Sequence, residues 1–279
     1  MPIDQYLVNR ALAQYPAAGG TILDTARPGL RGRAAAHAAY NAARQHLTHL
    51  GAARQLQDAE IAPDLIPELR TEVAAALHRR TNAQFNDPAS GYVRVAERAA
   101  DTAAQAADRY RPRLDPESAT QAIRTDQAWN NHVRPMLDAG KQWAEIVPTL
   151  DADGLLAVER FAPGHEARIR DRFHQDEVPA VLDGIKTMAE RRLVDIAPPE
   201  GREALREAQD AEASRDYVRT VGEWMKNASP RDAVTVSIGL TQGAYRVGAH
   251  RPVDTSPEGQ AEYAASLTAP AAATAAVAA

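Results

Sequence analysis

Chemistry in this chain has to come from histidine, carboxylate and arginine, because its 279 residues include eight His and no Cys. Disulfides, iron–sulfur clusters, thiolate zinc sites and thiol nucleophiles are thereby excluded. His46 and His49 stand three apart, which puts both imidazoles on one face of a helix, but a metal site needs a third ligand and none follows at ligand spacing. Asp171 and His174 share that offset. A di-metal bundle, however, needs two Glu-x-x-His helices and two further Glu, and the sequence has a single Asp version.

Other partial motifs fail on one residue each. His165-Glu166-Ala167-Arg168-Ile169 begins like a zinc-protease helix and then has Ile169 where the second His must stand. Asp151-Ala152-Asp153-Gly154 resembles part of a calcium loop, but its Gly comes two residues early, and a helix N-cap accounts for the aspartates. Gly140-Lys141 is followed by Gln142, so no phosphate loop forms; Gly239, Gly243 and Gly248 miss the dinucleotide spacing. No Gly-x-Ser-x-Gly elbow occurs. The sequence predicts no metal and no cofactor. A catalytic reading would rest on His132, His165 or His174 in an interhelical pocket, since imidazole titrates near neutrality.

Charge is distributed unevenly. From Asp24 to Asp58 no acidic residue intervenes, while Arg27, Arg31, Arg33, Arg44 and Arg54 give the stretch +5, leaving −10 for the rest of a chain whose total is −5. On a helix Arg33, His37, Tyr40 and Arg44 form one stripe with Arg31 beside it. Such a stripe could meet the acidic surface of another protein or of a second copy; the alternative is nucleic acid, through Arg31, Arg33 and Arg44. A pI of about 5.9 argues against the alternative.

The elements that must position these residues read as helices. Ala makes up about a fifth of the chain, and Ala is the best helix former. Three Phe and three Trp leave the core to Leu, Val, Ile and Ala. Apolar periodicity predicts helices over about 3–15, 33–60, 67–85, 88–110, 116–139, 142–147, 152–161, 166–175, 179–194 and 200–227. Asp87-Pro88, Asp115-Pro116, Ser229-Pro230 and Ser256-Pro257 are read as starts, a polar cap followed by Pro at the first helical position. A kink is expected near Pro135 and a stop at Gly140. Residues 233–248 are ambiguous: Val234, Val236, Ile238 and Leu240 alternate like a strand, while Val234, Ile238 and Tyr245 share a helical face. Helix is preferred, with a small β-hairpin kept open. Trp129, Trp143 and Trp224 are expected to anchor the core.

The expected fold is all-α, a bundle of about eight to ten helices in two helical subdomains, 1–140 and 141–267, with 268–279 a disordered Ala-rich tail. Met1-Pro2-Ile3-Asp4 shows no basic and apolar leader, and no apolar run approaches spanning length, so a cytoplasmic protein without membrane association is expected. Lys occurs only at Lys141, Lys186 and Lys226, and with the absent Cys, the capped helices and the Ala tail this is similar in general flavour to structural or accessory proteins of phages that infect GC-rich bacteria. That likeness implies a virion or scaffold component. The functional expectation is a non-enzymatic structural, assembly or interaction protein.

Overall fold

The structure is a computed structural model and describes residues 4–17, 26–57, 61–115, 117–170, 175–227 and 233–269. Among the described residues the regular structure is entirely helical. The α-helices are α1 (Gln5–Leu12), α2 (Pro28–Arg54), α3 (Ile66–Asn86), α4 (Tyr92–Asp108), α5 (Ala119–Ala128), α6 (Arg134–Asp138), α7 (Trp143–Ile146), α8 (Ala152–Ile169), α9 (Val178–Ile196), α10 (Pro199–Asn227), α11 (Ala233–Arg246) and α12 (Pro257–Thr268). The hairpin alternative for 233–248 is thus overturned. No helix among the described residues is long and apolar enough to cross a membrane.

Two compact units form, one from Met1–Ala104 with Glu207–Ala265, the other from Gln105–Arg206 with Ser266–Ala279. The boundary expected near 141 falls inside the second unit, because periodicity marks where helices stop and not which distant helices they join.

The first unit is built on α2, started by Pro28, whose missing N–H costs nothing there. Ala35, Ala36, Ala39, Ala42 and Ala43 are all buried, so α2 hides several faces and must be covered from several sides. Phe85 of α3, Tyr92 and Ala96 of α4, Val218, Val221 and Met225 of α10, and Leu240 and Ala244 of α11 do so. At Gly32 an added Cβ would lie 3.3 Å from the Cα of Ala211 in α10, a near backbone-to-backbone approach. A second cluster joins Val8 and Ala11 of α1 to Leu69, Val73 and Leu77 of α3.

In the second unit α5 continues through a π-helical turn, Trp129–Val133, into α6. The wider turn sits immediately before Pro135, which has no N–H for the regular helical ladder, and so gives physical form to the expected kink. Gly140, at φ +83°, ends the run. The core is Trp129, Val133, Ile146, Val147, Leu155, Val158 and Ile185.

Several expected boundaries move. α8 starts on Asp151, whose carboxylate accepts the Gly154 N–H at 2.9 Å, and then runs through Pro163 to Ile169. The helices expected over 152–161 and 166–175 are therefore one element up to Ile169. Burial of Leu155, Val158 and Ala162 offsets a proline cost of about 3 kcal/mol. Asp87-Pro88 forms a turn, with the Asp87 carboxylate taking the Ala89 and Ser90 N–H groups at 2.8 Å, and α4 begins only at Tyr92. Ser118, not Asp115, caps α5. Ser256-Pro257 does open α12, Ser256 Oγ accepting from the Gly259 N–H at 3.1 Å. Gly19-Gly20, Pro116, Ser229-Pro230 and the tail beyond Ala269 lie outside the described residues.

The same substitution should have opposite effects at the two ends of α2. An added Cβ at Gly51 meets nothing within 4 Å, so Gly51→Ala raises stability by about 0.5–1 kcal/mol. A methyl at Gly29 overlaps the Tyr263 hydroxyl, so Gly29→Ala lowers it by about 1–3 kcal/mol. Urea unfolding of the two variants beside the parent chain measures both.

Candidate functional site

The basic stripe of α2 lies within the first unit. Arg27 precedes α2 and its side chain makes no cap; a carboxylate from α10 serves instead. Glu207, 8% exposed, accepts the Gly29 N–H on Oε1 at 3.2 Å, and the Arg27 guanidinium donates to Oε2 at 2.9 Å. A buried anion at a helix N-terminus is favoured by the unpaired N–H groups and the dipole. Tyr263 of α12 lies beneath Arg27 and Arg33, with guanidinium carbons 5.9 and 5.7 Å from its ring centre. Its hydroxyl donates to Asp210 Oδ2 at 3.0 Å. Burial first, then the Asp210 and Glu207 charges, push the Tyr263 hydroxyl far above its ordinary range, so it stays a donor.

The other stripe residues have internal partners. Half-buried Arg31 donates to the Ala26 carbonyl at 3.1 Å. His37 Nδ1 lies 2.7 Å from the Ala249 carbonyl, which can only accept; Nε2 is then the acceptor for Asn41 Nδ2 at 2.9 Å. Tyr40 is buried, and exposed Arg44 lies over its ring at 5.5 Å. Of Arg31, Arg33, His37, Tyr40 and Arg44, only Arg44 is exposed. The sequence could not show this, since Glu207 stands 180 residues from Arg27.

Among the described residues no group of three or more His, Asp or Glu could hold a metal. His46 is 2% exposed, with Nδ1 against the Thr81 hydroxyl at 3.0 Å, its ring 5.7 Å from His78, and Nε2 without a hydrogen-bond partner. Burial, then His78, His49 and Arg80, hold its pKa down to about 4. In the second unit His165 is edged by Trp129 at 5.8 Å and Trp143 at 6.3 Å, and burial lowers its pKa. The adjacent Glu166, 2% exposed, accepts the Trp143 indole N–H at 2.8 Å and pairs with Arg170. His132 is exposed; Asp171 and His174 lie outside the described residues.

A cleft of about 390 Å³ opens in the second unit between α8, α9 and the segment after α4. Neither His132 nor His165, the two described histidines read as acid–base groups, lines it. Trp129 and Trp143 pack in this unit's core, and Trp224 against the first unit's.

The most unusual surface is on α11. Leu240 and Ala244 are buried, and the Leu240 carbonyl accepts the Tyr217 hydroxyl at 3.1 Å. On the outside, Ile238 is 55% and Tyr245 63% exposed. Thr235 and Gln242 are exposed as well, so 235, 238, 242 and 245 form an uncharged row at alternating three- and four-residue spacing. Over its whole length α11 has one charged residue, Arg246.

His46 makes acid sensitivity measurable. Its folded pKa of about 4 lies below the ordinary 6.5, so above pH 6.5 it contributes no pH dependence. Between pH 6.5 and about 4 the unfolded chain binds a proton that the folded chain does not, and stability falls as pH falls, by at most roughly 3 kcal/mol. His46→Gln should flatten this acid limb in urea midpoints taken from pH 7 to 4.5; a limb as steep as the parent's would assign it to other groups. No family model, no curated protein and no solved structure matches this chain.

Proposed function

We propose that the protein is a non-enzymatic helical interaction or assembly protein, of the kind that builds a scaffold, virion or larger complex, and that it associates through the outward row of α11 with a second copy of itself. The observation that carries this reading is the exposed, uncharged row Thr235, Ile238, Gln242 and Tyr245 in a chain that is 25% charged. A soluble surface helix ordinarily places charge outside, and an outward row without charge, with Arg246 only at its end, has the composition of an interface core. Three- and four-residue spacing is that of a seam between two helices, and a seam of identical composition is self-complementary about a two-fold axis. The basic stripe favours neither a charge-driven contact nor nucleic acid, because four of its five residues face partners within the unit.

An apolar and uncharged seam predicts an association that persists in high salt, unlike one made of exposed ion pairs. Light scattering after size exclusion should therefore give a mass above the monomer's 30.1 kDa at high protein concentration, in 50 mM and in about 1 M salt alike. Ile238→Asp with Tyr245→Asp should return it to monomer with unchanged helical circular dichroism. A parent chain that is monomeric throughout, or a dimer that dissociates in salt, would sink the reading.

A further inference from the structure

The cleft of the second unit has an apolar floor and one unusual polar wall. Leu155 and Val158 of α8 face Leu182, Ile185 and Leu193 of α9, and the volume of about 390 Å³ falls in the range of small-molecule sites. On the rim Arg113 pairs with Asp108, and Arg111 lies 3.8 Å from Glu190, so these charges largely neutralise one another. The polar feature comes from Pro163. Both Glu159 and Pro163 line the cleft, and Pro163 has no N–H to give to the Glu159 carbonyl, its regular partner four residues earlier in α8. Pro163 thus leaves that oxygen without its regular helical donor, both residues line the apolar cavity, and the exposed Glu159 carboxylate belongs to the same residue.

We propose that this cleft binds a small apolar molecule ending in a hydrogen-bond donor, a hydroxyl or an ammonium, with its apolar body between α8 and α9 and its head on the Glu159 carbonyl. An acceptor-only head such as a carboxylate gains nothing from that oxygen and is repelled by the Glu159 side chain. Lys186, the rim cation without an ion pair among the described residues, is exposed, so solvent screens what it offers an anion.

The test is displacement of Nile red, a neutral apolar dye, from the full chain by 1-octanol, octylamine and octanoate at pH 7. Octanol and octylamine should displace it at concentrations about tenfold below octanoate, the scale of one net hydrogen bond. Pro163→Ala returns an N–H to the Glu159 carbonyl and leaves the floor intact; it should shrink the preference for donor heads to less than about threefold without loss of helix. Ala189→Phe fills the cleft from a half-buried lining position and should abolish displaceable dye binding, with its helix content checked by circular dichroism. Octanoate competing as well as octanol, an unaltered preference in Pro163→Ala, or dye bound equally by folded Ala189→Phe would each overturn the proposal.

Discussion

A helix in which 12 of 27 residues are alanine or glycine packs by close approach, and in α2 that approach buries the first turn. At the start of α2 the buried Gly29, packed against Tyr263, carries an N–H with no partner inside the helix. The Glu207 carboxylate meets that need at the Gly29 N–H. A carboxylate that deeply placed then requires a cation, which Arg27 supplies, and the tyrosine packed beneath requires an acceptor, which Asp210 supplies. Each requirement follows from the one before, beginning with small side chains on α2. The density of arginine near its start reflects this chain of dependence and not an outward-facing electrostatic surface.

What could be read in the sequence was what nearby residues determine. Helical periodicity, the Asp151 and Ser256-Pro257 starts, the distortion at Pro135 and the stop at Gly140 are all set within a few positions, and the structure has them. What could not be read depends on distant partners. Pro163 signals a break, yet Leu155, Val158 and Ala162 before it lie in the core, and His165 and Glu166 after it are buried against Trp129 and Trp143, so α8 continues. Arg33 and His37 look like surface groups until Tyr263 and the Ala249 carbonyl take them up. The ambiguity of 233–248 had its own cause: α11 is apolar inward at Leu240 and outward at Ile238, so alternation and helical periodicity both match.

The buried polar groups are accommodated in two ways. His46 remains uncharged, one nitrogen on Thr81 and the other without a partner, and the interior tolerates it only as long as no proton arrives. Glu166 is instead surrounded by donors, the Trp143 indole and Arg170. The first arrangement is sensitive to acid; the second fixes the indole, and with it the wall against which His165 packs. Neither group belongs to the exposed row of α11 or lines the cleft beside Pro163, the two places proposed above for contact with other molecules.

The order of the first unit's segments along the chain has a consequence during synthesis. The Ala face of α2 is finished by Val218, Val221 and Leu240, which leave the ribosome some 180 residues after it. At about 5–20 residues per second, α2 waits on the order of ten seconds with its small-residue faces uncovered and its arginines unpaired. The core of the second unit, from Trp129 to Ile185, is contiguous and can close during that interval. A message truncated before Glu207 would thus release a chain with one finished half and one that cannot finish, its α2 arginines without the α10 carboxylate that pairs Arg27.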